Sequence, residues 1–155
     1  MAEILIEEQD ITLPTLSLAL ESATMAHSAT DHSLYVTEAG LFPFWIELHP
    51  GPRFVLLRTY LEFTEGVSAA QRLEFCNDIN LKLFVPSVAV LPVEGEGDGL
   101  KHRLLATYPV YYRDGLLTSH FIRLCRAFAN GMEQIQDQFD PVNAVLHPLR
   151  LGSRA

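Results

Sequence analysis

Between Leu34 and Phe63 the chain reads as three strand-forming runs, Leu34–Thr37, Phe42–Leu48 and Arg53–Phe63, separated only by turn residues: Gly40 once, then Pro50-Gly51-Pro52. Links this short join antiparallel neighbours, because a parallel crossover needs roughly a dozen residues or more. A second pair of runs, Val85–Val93 and Arg103–Tyr112, brackets the acidic, glycine-rich link Glu94–Gly99, which predicts a mobile hairpin loop. Helical periodicity surrounds these strands. Leu13, Leu16, Leu20 and Ala23 recur at three and four, with Pro14 suited to a first turn, and predict a helix over 12–27 followed by a polar connector, His27–Ser33. Ser68 with Gln71 has the form of a capping box, and Leu73, Cys76, Ile79, Asn80 and Leu83 mark one face of a helix over 68–83. From Leu116, a third helix carries Phe121, Cys125, Phe128, Met132, Ile135 and Phe139 as one apolar stripe. The order α-β-β-β-α-β-β-α predicts an α+β fold with an antiparallel sheet packed by helices.

The strands carry apolar residues on both of their faces. Phe42, Phe44, Ile46 and Leu48 stand against Trp45 and Glu47, and Phe54, Leu56, Arg58 and Tyr60 against Val55, Leu57, Thr59 and Leu61. A sheet covered on one side should be polar on the other, so this pattern calls for a second cover: the helices themselves, a second subunit or a bound protein segment. Phe42, Phe44, Trp45, Leu57 and Tyr60 are therefore the candidate partner-binding surface, and Leu73, Ile79, Leu105 and Tyr111 the candidate dimer interface.

At 155 residues and 48% hydrophobic, the chain suits one core and is not a disordered polymer. It divides into an acidic N-terminal segment, 1–10, a domain, 11–139, and a tail, 140–155. In the tail Asp140-Pro141 followed by Val142, Val145, Leu146 and Leu149 predicts a short amphipathic helix, docked on its own domain or across a dimer. The net charge of −8 opposes direct binding to nucleic acid or an anionic membrane and favours a basic partner. An acidic N-terminus is unlike a signal peptide, and the longest run without charge, Leu83–Val93, is too short to span a bilayer; a cytoplasmic protein is expected. Cys76 and Cys125 form no C-x-x-C pair and read as buried free thiols.

No chemistry-bearing constellation emerges. None of the six histidines pairs with another ligand at i, i+4 on a helix, so no metal is expected, and no G-x-S-x-G, P-loop or G-x-G-x-x-G pattern occurs, so no cofactor is expected either. Ser119 and His120 diverge by about 100° on a helix and make no dyad. Tyr108, Tyr111 and Tyr112 with Phe44 and Trp45 would form a stacking platform for single strands, against which the charge argues. Arg53, Arg58, Arg103 and Arg113 read either as a basic strip or as partners of the chain's own acids.

Several segments, in this order, are similar to the YbjN family of bacterial proteins: Leu34-Tyr-Val-Thr37, Gly40-Leu-Phe-Pro-Phe-Trp-Ile46, Leu56-Leu-Arg-Thr-Tyr60, Arg72-Leu-Glu-Phe-Cys-Asn77, and Tyr112-Arg-Asp-Gly-Leu-Leu-Thr-Ser119 running into Phe121-Ile-Arg-Leu124. The resemblance spans residues 11–136. It implies a fold like that of class I type III secretion chaperones, small acidic homodimers that bind proteins, and a family described as sensory transduction regulators. The expectation is a non-enzymatic homodimer, chaperone-like or adaptor-like, binding an unidentified client protein, of which a basic, nucleic-acid-handling one fits the charge. The alternative is a small-ligand-binding regulator with Trp45 and the tyrosines lining a pocket beneath the 94–99 loop. Histidines and acids converging in one cleft would favour an enzyme.

Overall fold

The structure, a computed structural model, describes residues 3–94 and 100–149. In chain order its elements are β1 (Leu5–Ile6), α1 (Leu13–Ser22), β2 (His27–Ala29), β3 (Ser33–Val36), β4 (Phe44–His49), β5 (Phe54–Glu62), α2 (Ala69–Lys82), β6 (Ser87–Glu94), β7 (Leu100–Tyr111), β8 (Leu116–Leu117) and α3 (Thr118–Gln134). A π-helical turn, Ile135–Phe139, continues α3. Six strands form one sheet in the order β2-β3-β4-β5-β7-β6, every pair antiparallel, as the short links require. The mixed α+β class is as the sequence implies.

All three helices lie on the same face of the sheet. Leu34, Val36, Phe44, Ile46, Val55, Leu57, Leu61, Leu104, Ala106 and Val110 point into them and are buried. The stripe of α3 meets these strands through Phe121, Cys125, Phe128 and Met132, with the rings of Phe44 and Phe128 edge to face at 5.3 Å. Leu16 and Leu20 of α1 and Cys76 and Ile79 of α2 close the two flanks. Gly131 lets α3 approach the loop before β6, since a Cβ there would stand 2.3 Å from the Val85 carbonyl oxygen.

Helix starts were legible. Ser68 caps α2 by the expected box with Gln71, and Thr12 caps α1 in the same way with Thr15. The end of α1 was not. The predicted helix over 12–27 stops at Ser22, because Thr24 takes a positive φ of 54° and the chain reverses. The amides of Thr24 and Met25 then bond back to the Glu21 and Leu20 carbonyls at 2.9 Å, the Schellman pattern usually signalled by glycine. The expected polar connector consequently holds a strand, β2, paired with β3 and pinned to α1 by a 2.6 Å bond between Ser17 Oγ and His27 Nε2.

Both flanking segments dock on the domain. Leu5 and Ile6 pair with Leu117 and Leu116, and Glu8 meets Arg53 at 2.6 Å. The predicted tail helix is absent from residues 140–149. Buried Asp140 accepts the amides of Ala144 at 2.8 Å, Val145 at 3.2 Å and Leu146 at 2.9 Å, a turn that consumes the donors a helix would have used. Leu146 then bridges to Phe63, and the His147 amide bonds the Glu62 carbonyl at 2.9 Å. The expected mobile loop falls at residues 95–99, outside the described residues.

Two stability outcomes follow. Thr24→Gly relieves a β-branched residue of its left-handed conformation and is expected to raise stability by ~0.5–1 kcal/mol in urea denaturation, after the added freedom of the unfolded chain is subtracted. Asp140→Ala strips three amides of their acceptor and is expected to cost ~1–3 kcal/mol or more, with proteolytic cleavage of the tail accelerated; an unchanged midpoint would show the turn to be inert.

Candidate functional site

No helix among the described residues covers the other face of the sheet. Alternation along β5 leaves Phe54, Leu56, Arg58, Tyr60 and Glu62 on it, half-buried, and the neighbouring strands add Tyr35, Trp45, Glu47, His49, Arg103, Leu105 and Tyr111. Its middle is an aromatic row. Trp45 stacks on Tyr35 at 4.6 Å and on Tyr60 at 5.8 Å, and the Arg103 guanidinium lies 4.2 Å over the far side of the Tyr60 ring. Register explains the row: Tyr35 faces Trp45 directly, while Trp45 and Tyr60, like Tyr60 and Arg103, are diagonal neighbours across adjacent strands. A second cluster, His49, Phe54 and Tyr111, joins ring to ring at 4.8 and 5.6 Å.

Charges on this face are paired. Arg58 meets Glu47 at 3.0 Å, Arg103 meets Glu62 at 3.5 Å, and His49 Nε2 lies 3.3 Å from the second oxygen of Glu47. With Arg53, in the turn before β5, bound to Glu8, three of the four arginines Arg53, Arg58, Arg103 and Arg113 meet the chain's own acids and no basic strip forms from them. The row's ring faces lie against one another, which leaves edges rather than open faces for an incoming group.

This geometry sorts the sequence candidates. Trp45 and Tyr60 stand on the open face, and Leu105 and Tyr111 join them there, so the two proposed surfaces become one. Phe42, Phe44 and Leu57 are corrected: all three have no exposed area and belong to the core beneath the helices. Ile79 is corrected likewise, buried by α2, whereas Leu73 of the same helix is exposed but on the helical side. Of the tyrosines named for a stacking platform, Tyr112 is buried and Tyr108 pairs with Leu57 on the core side, so they do not assemble with Trp45. Tyr35 completes the site without having been singled out, and Arg58 and Arg103, read from the sequence only as a basic strip or as partners of acids, join it. Period-two alternation from Trp45 and Tyr60 was the signal that finds them.

Two concavities border the face. A cleft of about 250 Å³ lies between Tyr35, Trp45 and Tyr60 and the tail residues His147–Leu149. Another, of about 440 Å³, brings His102 and His147 near Glu62, Glu65 and Arg72. Histidines and acids do converge there, yet no side-chain hydrogen bond joins either imidazole to an acid among the described residues, and Glu62 is engaged by Arg103. Among those residues no group of three His, Cys, Asp or Glu could hold a metal ion. Burial pushes the Cys76 thiol up to about 11 and that of Cys125 higher still, so both stay protonated at neutral pH. Among the described residues no helix is long and apolar enough to cross a membrane.

The structure thus defines a class: an α+β protein whose antiparallel sheet is packed by helices on one face and presents an aromatic, charge-paired surface on the other. Residues 12–141 match the YbjN family, described as "putative bacterial sensory transduction regulator", and the chain belongs to that family. The fold is similar to the crystal structure of YbjN from E. coli, described as "a putative transcription regulator", with a TM-score of 0.66 at 18% identity, covering 89% of this chain and 97% of that one. At that identity the likeness concerns fold alone. The family description is of a regulator rather than of an enzyme. A search of curated proteins finds no match.

Adjacent Phe44 and Trp45 provide a test of the two faces. Phe44→Ala empties a fully buried site and is expected to cost ~3–5 kcal/mol, whereas Trp45→Ala, already partly hydrated, costs ~1–2 kcal/mol in urea denaturation. Equal losses would mean that both faces are covered.

Proposed function

We propose that this chain is a non-enzymatic regulator that acts by binding another protein molecule, adaptor-like or chaperone-like, through the open face of its sheet. One observation carries the reading: tryptophan, tyrosine and arginine stand together, half-buried, on a surface that no helix among the described residues covers. These residue types contribute most of the binding energy at protein interfaces when a partner excludes water from them. The surface extends across several strands, and leucines 56 and 105 continue it as apolar area, which suits a protein partner. The overall charge of −8 speeds encounter with a basic client, whose positive groups would meet the acids outside the face. A cytoplasmic setting fits two buried, unpaired cysteines.

The second reading, a small-ligand sensor, rests on the cleft closed by Tyr35, Trp45, Tyr60 and the tail; its volume of about 250 Å³ lies below the ~300 Å³ at which ligand pockets begin. Crosslinked pull-down from native cells, comparing the wild type with Trp45→Ala/Tyr60→Ala, separates the two. A protein captured at least tenfold less by the variant is the expected outcome. Capture that ignores the substitutions, together with a metabolite that raises the melting temperature of the wild type alone, would favour the ligand.

A further inference from the structure

We infer that the cavity between the end of β5, the start of β7 and the tail binds a small phosphorylated metabolite of the sugar-phosphate class, its phosphate held by Arg72 and Lys101. The cavity measures about 440 Å³, within the ~300–1,000 Å³ of ordinary ligand sites and larger than the cleft beside Trp45. It borders the open face without using the aromatic row, so the proposal goes beyond the protein-binding reading and does not rest on it.

Backbone pairing assembles the wall. The Phe63 amide bonds the His102 carbonyl at 3.2 Å and the His147 amide bonds the Glu62 carbonyl at 2.9 Å, so the two histidines flank the end of β5 along its two edges. Lys101 precedes His102 on β7, and Arg72 lies one turn into α2. Arg72 is the residue that points to an anion. Among the described arginines it alone is half-buried with no carboxylate in ion-pair range: its Nη1 donates to the Val67 carbonyl at 2.6 Å, and its buried Nε has no acceptor. Arg103 also buries an unpartnered Nε, but Glu62 and the Tyr60 ring meet that guanidinium. A full positive charge drawn partly out of water and given one neutral carbonyl is poorly compensated, and an anion in the cavity supplies the missing charge and acceptors.

The rest of the wall narrows the anion to a phosphate monoester. Glu62 is neutralised by Arg103 at 3.5 Å, which leaves Arg72 and Lys101 against the exposed Glu65 alone. In a chain of −8 this local excess of positive charge concentrates a small anion, whereas a polymer of phosphates would also meet the acidic surface outside. A carboxylate has two oxygens in one plane, which a single guanidinium fork satisfies. A phosphate monoester presents three oxygens in different directions, matched here by a guanidinium, an ammonium and imidazole N–H groups set around one cavity by α2, β7 and the tail. Phosphate alone would leave much of the volume empty. Glu65 and the imidazoles offer acceptors to hydroxyl groups on the remainder of the ligand, so a sugar is the body that fits.

Isothermal titration calorimetry of the full chain with ribose 5-phosphate, inorganic phosphate and ribose is the test. The expected result is one saturable site for ribose 5-phosphate, at least tenfold weaker binding of inorganic phosphate at the same site, and no heat from ribose. Arg72→Gln should weaken ribose 5-phosphate at least tenfold and Lys101→Gln at least threefold. Arg113→Gln removes the same charge just beyond the far end of β7 and should leave affinity unchanged. Should Arg72→Gln fail to fold, the exposed Lys101 and the wild type still decide, since the imidazole NMR signals of His102 and His147 must move on titration while those of the exposed His32 and His120 stay. No saturable heat, equal affinity for inorganic phosphate and ribose 5-phosphate, or affinity that survives both Arg72→Gln and Lys101→Gln overturns the proposal. Binding lost in Trp45→Ala/Tyr60→Ala but kept in the Arg72 and Lys101 variants also overturns it, by placing the ligand in the neighbouring cleft. None of these outcomes alters capture of a protein through Trp45, which is read separately by the pull-down.

Discussion

Packing of every helix against one face of one antiparallel sheet is the constraint on which the rest depends. Phe121, Phe128 and Met132 of α3 fill the middle of that layer, and α1 and α2 close its flanks with Leu16, Leu20 and Ile79. Three helices used on one side leave none for the other. The strands nevertheless carry large side chains outward, and these find partial shelter only in one another, as stacked rings and paired charges. A surface that satisfies itself so far, and no further, is stable in water and still gains when a partner excludes that water.

The ends of the chain reinforce this asymmetry. β1 clips the start of α3 through β8, and the tail turn built on Asp140 bridges to the end of β5, so that the described parts of both segments add to the sheet's rim. Asn80 seals part of the edge at β6 with two backbone hydrogen bonds. Growth of the sheet by strand addition is thereby discouraged, and contact is directed to the face.

Much of this was legible in advance, and the failures are instructive. The Ser68 capping box, the hairpin links and the stripe of α3 are local patterns enforced by neighbouring residues, and each appeared where expected. Thr24 misled because its left-handed conformation is imposed by burial of Leu20 and Met25 on either side of the turn, while the residue itself disfavours it. The tail periodicity misled because Asp140 spends its carboxylate on three amides at once. Phe42, Phe44 and Leu57 were grouped with Trp45 and Tyr60 because all are apolar, although alternation already set Phe44 and Trp45 on opposite faces.

Residue order by itself determined the class of the fold, the antiparallel pairing and the division of each strand into two faces, because these follow from link lengths and from the geometry of a pleated chain. Which face became core was decided only when the helices packed, since both faces offered comparable apolar area and the choice is a collective one made by α1, α2 and α3 together. The same event made a single surface of Trp45, Tyr60, Leu105 and Tyr111, which stand on three strands brought side by side by pairing across long stretches of chain.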